Sequence, residues 1–179
     1  HKQMIQKFLP SAVKFVYNWN LRELDNVFNG LTRMNPDHFQ HPSVVLRLYI
    51  HEINRTFSDR LNDEADLEKF KNILSSCYEK AFKEIKGLTT GDVFEKPLIF
   101  TEFHNQPGGI PTYLGVKNSE EITDVLNAKL EEYNESNTIM DLVLFRDAVA
   151  HVCRIARIIA QPRGNALLIG VGGSGKQSL

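Results

Sequence analysis

The chain has 179 residues, of which 42% are hydrophobic and 24% charged, an ordinary globular composition with room for one domain or two small ones. A net charge of -1, with no run of five like charges, offers no electrostatic footprint for nucleic acid or an anionic membrane. Two widely separated cysteines, Cys77 and Cys153, match neither a secreted disulfide scaffold nor a zinc site, so reduced intracellular thiols are expected. The apolar runs, such as Leu142 to Phe145 and Ala166 to Ile169, fall far short of the ~18 residues that cross a bilayer, and a soluble protein is expected. The chain opens on His1 without a signal region and closes on Leu179 without a helix stop, as expected of a piece of a longer polypeptide.

In chain order, Leu21, Leu24, Val27, Phe28 and Leu31 recur at helical spacing after Asn20, and Glu23 is placed to complete a capping box. Gly30 falls in the last turn. Met34-Asn35-Pro36-Asp37 interrupts the pattern before a second helix with Val45, Leu48, Tyr49, Ile53 and Phe57 on its apolar face. A third helix carries Leu67, Phe70, Ile73, Leu74, Ala81, Phe82 and Ile85 on one stripe. Together these predict a small helical bundle over residues 1–86.

At residue 87 the composition changes. Gly87, Gly91, Pro97, Pro107, Gly108, Gly109, Pro111 and Gly115 crowd around the apolar run Leu98-Ile99-Phe100, and a domain boundary is expected there, with a second domain over 87–179. Asn118 with Glu121 caps a charged helix reaching about Tyr133. Ile139, Leu142, Val143, Phe145, Ala148, Val149, Val152, Ile155 and Ile159 predict one long, mostly buried helix that Pro162 stops. Ala166-Leu167-Leu168-Ile169 reads as a buried parallel strand, because such strands are covered on both faces. The fold class expected is mainly α with a small α/β portion.

That strand leads into Gly170-Val171-Gly172-Gly173-Ser174-Gly175-Lys176-Gln177-Ser178. A phosphate loop needs glycines so that the backbone can wrap anionic oxygens, a buried strand to aim it, and a helix whose N-terminal N–H groups face the phosphate. Gly170, Gly172, Gly173 and Gly175 supply the first, and Lys176 adds a cation that reaches the β and γ phosphates. Four glycines at set places would arise by chance in only about 4 × 10⁻³ of chains this long, so an accidental turn is the weaker explanation. The position after the lysine normally carries a hydroxyl that holds Mg²⁺. Here it is Gln177, with Ser178 one place late, so ATP or ADP binding is expected with weakened Mg²⁺ coordination.

Hydrolysis further requires an acid at the end of another core strand. Asp147 after Leu142 to Phe145, and Glu102 after Leu98-Ile99-Phe100, imitate one, but both precede the loop and the first lies within a helical pattern. No catalytic residue is therefore assigned, and the acid is expected beyond Leu179. His38 and His41 lack a third metal ligand and read as a solvated turn; His51-Glu52 matches half of a zinc-protease motif, but Arg55 stands where its second histidine belongs. No metal site is assigned. Arg154 and Arg157, like Glu52 and Arg55 at i and i+3, read as solvated or paired helix faces, and Trp19 beside Tyr17 as core.

These residues resemble the dynein heavy chains, specifically the axonemal type. The stretch from Asn165 to Leu179 looks like the start of the fourth AAA+ module of those motors, Gln177 included. Met140 to Arg157 resembles the helix before that loop, and Pro162-Arg163-Gly164 its lead-in. Phe15 to Leu24 and His51 to Leu61 are similar to the helical lid of the third module, so the resemblance covers most of the chain. It implies an AAA+ helical lid over 1–86, then a linker and the N-terminal, truncated part of an AAA+ α/β domain over 87–179. It also implies that Arg22 is the lid arginine that senses the γ phosphate of its own module, whose remaining residues would precede His1.

By the same resemblance the parent is an ATP-hydrolysing motor driving microtubule-based movement of cilia or flagella. Its implied location is the cytoplasm, the cytoskeleton and the axoneme. Its implied partners are nucleotide, neighbouring AAA+ modules, microtubules, and dynein intermediate and light chains through other regions; nucleic acid and membrane are not expected. The chain by itself is expected to be inactive as an ATPase. Gln177 keeps open a second reading, a non-catalytic nucleotide-binding scaffold or regulatory module. A kinase or GTPase would have a compact α/β sheet around the loop and no helical bundle upstream, against which the first 86 residues argue.

Overall fold

The computed structural model of the chain describes residues 1–82, 84–85, 88–103 and 112–175, which divide into two compact units, His1–Glu95 and Lys96–Leu179. Each is taken by itself. The first is helical throughout, and its organising element is α3, Pro42–Phe57, which follows α1, Lys2–Lys7, and α2, Leu21–Leu31. Pro42 stands at the first turn of α3, where a missing N–H costs nothing, and the His41 ring accepts from the Ser43 N–H at 3.3 Å. His41 is thus a helix cap. Buried residues ring the helix, from Leu46, Leu48 and Ile50 to His51, Glu52, Thr56 and Phe57, so its buried face is wider than the predicted stripe and includes polar side chains.

The expected capping box opens α2. The Asn20 side chain accepts from the Arg22 N–H at 2.8 Å, and Glu23 Oε2 accepts from the Asn20 N–H at 2.7 Å. Gly30 has a packing role in addition to its place near the helix end, because a Cβ there would lie 1.9 Å from the Glu52 carboxylate. The close approach of α2 to α3 depends on that missing methyl.

Between α1 and α2 the chain runs without regular structure and is held by aromatic rings. Phe8 meets Tyr17 edge-on, Tyr17 leans on Trp19, and Trp19 packs on Phe57 with ring centroids 5.7 Å apart. The Trp19 indole N–H donates to the Phe8 carbonyl at 2.9 Å, as a buried indole must find an acceptor. Trp19 is core, as expected. After a 3-10 turn, Ser58–Arg60, helix α4, Glu64–Phe82, buries Phe70, Leu74 and Tyr78 at i, i+4 and i+8. A second capping box, Thr89 with Asp92, starts the short α5, Thr90–Phe94, whose Val93 is fully buried. The Arg47 guanidinium of α3 donates to the Asp92 carbonyl at 2.9 Å, which carries the first unit to Glu95, past the composition change at residue 87.

In the second unit β1, Phe100–Thr101, pairs antiparallel with β2, Leu114–Gly115, Phe100 lying opposite Gly115. Helix α6, Ser119–Ser136, is capped as predicted by Asn118, which accepts from the Glu121 N–H at 2.7 Å. Its Ile122 and Leu126 join Val116 and the Val149 and Cys153 of α7, Arg146–Ile159, in one core. The fold class is that expected, mainly helical with a small sheet.

Two expectations in this unit are corrected. The helix predicted from Ile139 begins only at Arg146, and Ile139 and Val143 are about four-fifths exposed. Locally, Asn134 donates to the Met140 carbonyl at 3.1 Å, a group that a helix would instead give to a later N–H, and accepts from the Met140 N–H at 2.8 Å. The second correction concerns residues 166–169, which are neither a strand nor buried; Leu167 is 86% exposed and Ile169 84%. A parallel strand is stable only between hydrogen-bonded neighbours, and the one sheet among the described residues is the β1–β2 pair.

One ionic cluster ties the irregular segment of the first unit to α4. Lys14 pairs with Asp63 and Asp66, and the Tyr17 hydroxyl donates to Asp66 at 2.9 Å. The hydrogen bond from Lys14 is the main cause holding the Asp63 carboxyl below its ordinary value. A carboxyl depressed in the folded state stabilises the fold above its unfolded value, about 4, and that contribution is lost as pH falls through the folded value. The Lys14→Ala variant is therefore expected to be less stable near neutrality and to lose less stability than the parent on acidification from pH 5 to 2. Urea melts across that range would check this; parallel pH profiles would contradict it.

Candidate nucleotide loop and lid arginine

The glycine-rich loop is reached through a tight turn at the end of α7. Ala160 closes the helix by donating to the Ala156 carbonyl, and Arg163 then takes a positive φ of 59°. Gly164 follows, its N–H donating to the Gln161 carbonyl at 2.9 Å. A Cβ on Gly164 would lie 1.7 Å from the Ile158 carbonyl oxygen, so the chain turns back against the helix end only because the residue is glycine. Pro162-Arg163-Gly164 thus sets the direction in which residues 165–170 leave the helix.

Within the loop, Gly170, Val171, Gly172, Gly173, Ser174 and Gly175 are all exposed. The Ser174 N–H donates to the Val171 carbonyl at 3.3 Å, closing a turn. Gly173 and Gly175 have φ of 77° and 76°, the left-handed region that side chains with a Cβ resist. A Cβ built on Gly172, Gly173 or Gly175 meets no atom within 4 Å, so these glycines face open space. Left-handed residues interleaved with others are how a backbone turns its N–H groups toward an anion, and the open space is where an anion would stand. Lys176, Gln177 and Ser178 lie outside the described residues.

Arg22 lies in the other unit, on the first turn of α2, with an exposed side chain. Its backbone is held by the bond to Asn20, and its neighbour Glu23 is held further. Glu23 Oε1 pairs with Arg60 at 2.8 Å, and the Glu23 side chain is only 4% exposed. The same guanidinium donates to the Asn18 carbonyl at 3.3 Å and lies 5.8 Å from the centroid of the Trp19 ring. Arg60 and Glu23 drew no attention as a pair in the sequence, since their 37-residue separation (60 minus 23) follows no local rule. Only the capping box gave a hint.

The other candidates fall elsewhere. Asp147 is in the first turn of α7, where a carboxylate complements the helix dipole, and Glu102 lies just beyond β1. Arg157, expected on a solvated or paired face, is buried. Arg55 pairs with Asp59 at 3.3 Å, while Glu52 is fully buried beside Gly30.

A helical unit followed by a glycine-rich loop with left-handed glycines is the arrangement of an AAA+ lid leading into the next nucleotide module, and comparison with known proteins agrees. A family model described as the AAA+ lid domain matches residues 1–90, half of the chain, and one described as the P-loop containing dynein motor region D4 matches residues 140–179. Over its whole length the chain is 46% identical to the dynein beta chain of the flagellar outer arm of Chlamydomonas reinhardtii and 45% to the ciliary dynein beta chain of Tripneustes gratilla. It is 44% identical to dynein axonemal heavy chain 17 of Homo sapiens. The chain belongs to the dynein heavy-chain family of AAA+ proteins. It spans about 4% of the length of each of these relatives. No helix among the described residues is long and apolar enough to cross a membrane.

The two glycine environments differ in a measurable way. Gly164→Ala is expected to destabilise the chain by roughly 1–3 kcal/mol, since a backbone carbonyl must move to admit the methyl. Gly172→Ala, in open space, is expected to change stability by under about 0.5 kcal/mol. Thermal melts of the two variants check both, and an unperturbed Gly164→Ala protein would contradict the turn geometry.

Proposed function

We propose that this chain joins two nucleotide sites of a dynein motor ring. Its first unit supplies the helical lid of the third AAA+ module, with Arg22 as the γ-phosphate sensor. Residues 170–178 form the phosphate loop of the fourth module, and the domain division falls near residue 87. The observation that carries the reading is the pair of left-handed glycines, Gly173 and Gly175, in a loop open to solvent and within the region matching D4.

In this reading the backbone N–H groups of residues 171–175 surround the β phosphate and Lys176 neutralises it. Glycine is needed at these places because any Cβ would stand where the phosphate oxygens must come. ATP or ADP would bind with Mg²⁺, which would offset the charge of the phosphates. Gln177 offers an amide carbonyl where a short hydroxyl would fit the metal better, so Mg²⁺ coordination is weakened. That residue favours a second reading for the fourth module alone, in which bound nucleotide regulates without being hydrolysed.

The parent polypeptide, on this proposal, hydrolyses ATP and drives microtubule-based movement of cilia or flagella. The flagellar, ciliary and axonemal names of its relatives support this reading and a location in the axoneme. Microtubules, intermediate chains and light chains would be engaged by other regions of the heavy chain, and adjoining AAA+ modules by this one. Because the catalytic acid and the rest of each site are expected outside residues 1–179, the chain alone should show no ATP turnover above a protein-free control.

Nucleotide affinity tests the loop. In a polypeptide extended through the whole D4 region, Lys176→Ala is expected to weaken ATP binding about 10- to 100-fold, the worth of charge-assisted hydrogen bonds to the phosphates. Equal affinity of the two proteins would sink the phosphate-loop assignment. The same polypeptide with Gln177→Thr is expected to gain Mg²⁺ dependence; if removing Mg²⁺ affects both proteins alike, the glutamine has no part in metal binding.

A further inference from the structure

The lid arginine proposed above is carried on a helix turn whose place is fixed by something other than the arginine. Four observations bear on this. Glu23, the residue after Arg22, is a carboxylate with its side chain 4% exposed, and such a group is costly to bury unless both oxygens are satisfied. One oxygen accepts from the Asn20 N–H at 2.7 Å and the other pairs with Arg60 at 2.8 Å. Arg60 is itself oriented, by the Asn18 carbonyl on one side and the face of Trp19 on the other. It stands in the turn between α3 and α4, so the contact joins the start of α2 to the far end of the central helix.

A helix start needs a cap but not this one. Asn20 alone satisfies the Arg22 N–H, and a Gln at position 23 would complete the box equally well. A charged residue turned inward onto a guanidinium adds a directional constraint that a cap does not require. The single contact between Arg60 and Glu23 Oε1 is a charge-assisted hydrogen bond, and with Oε2 held by the Asn20 N–H the carboxylate is fixed at both oxygens. The residue whose backbone is thereby held is the one before Glu23 in the chain, Arg22.

We propose that Glu23 and Arg60 are positioning residues for Arg22. Their ion pair holds the first turn of α2 so that the exposed Arg22 guanidinium is presented in one direction to the terminal phosphate of a nucleoside triphosphate bound by the module that owns this lid. This rests on the sensor reading of Arg22. In that scheme neither Glu23 nor Arg60 touches nucleotide. Loosening their pair spreads Arg22 over several positions and lowers the discrimination between triphosphate and diphosphate.

The test uses the intact heavy chain and reads amide hydrogen exchange of residues 20–24 with a non-hydrolysable ATP analogue and with ADP. The parent is expected to exchange roughly tenfold more slowly with the triphosphate, the order of one charge-assisted contact. Arg22→Ala should abolish the difference. Arg60→Met should reduce it severalfold, and Arg60→Lys, which keeps the charge, should restore part of it at equal thermal stability, a rescue that loss of packing alone would not give. If Arg60→Met does not fold, Glu23→Gln, which keeps the acceptor for Asn20 and removes the charge facing Arg60, serves in its place. A full nucleotide-dependent difference in Arg60→Met or Glu23→Gln, with none in Arg22→Ala, overturns the positioning role and leaves the sensor. A difference that survives Arg22→Ala overturns the sensor reading, and the positioning role with it.

Discussion

A carboxylate taken out of water must find partners for both oxygens, and much of the lid unit is arranged around how Glu23 does so. One oxygen completes the capping box and so starts α2; the other reaches Arg60 at the end of α3. Arg60 lies over Trp19, and Trp19 donates to the Phe8 carbonyl while packing on Phe57. The irregular segment from Phe8 to Asn20 carries few backbone bonds of its own and would be poorly placed without that chain of contacts. A leucine at position 23 would suit the burial, but it would leave the Asn20 N–H and the Arg60 guanidinium without this acceptor. Burial is tolerated here because the same side chain satisfies a helix end and a tertiary pair.

Features that depend on neighbours in sequence were legible in advance. The capping groups at Asn20 and Asn118 follow from residue types three positions apart, and the helices they open were found. His41 was missed as a cap because an imidazole is an uncommon one and two histidines together suggest a metal or a wet turn first. The full burial of Glu52 was beyond reach for a different reason. It depends on α2 coming close enough for Gly30 to face it, a fact about two helices and not about either. Likewise the Asp66 N–H donates to Asp63 within one turn, whereas their common partner Lys14 arrives from the other end of the unit.

The second unit shows where periodicity stops being informative. From Ile139 to Ile159 the apolar positions fit one helix, yet the Asn134 side chain captures both backbone groups of Met140 and the helix starts at Arg146. The same amide holds both backbone groups of Met140, and the carbonyl is the one that a helix from Ile139 would need. Residues 166–169 fail as a strand on opposite grounds. Their composition is that of a strand covered on both faces, but a strand is made by its neighbours, and the described residues offer it none.

The loop and the lid arginine therefore depend on their surroundings to different degrees. The conformation of the loop is local: glycine permits positive φ at 173 and 175, and Gly164 lets the chain turn off α7. Its surroundings are not local, since a strand at residues 166–169 would require neighbours that the described residues do not offer. For Arg22 both terms are within the chain, because Asn20 supplies the local one and the Glu23–Arg60 pair the long-range one. The turn that carries Arg22 is thus held by contacts made within its own unit. The glycine loop has its left-handed residues from its own sequence, while residues 166–169 that lead into it have no strand neighbour among the described residues.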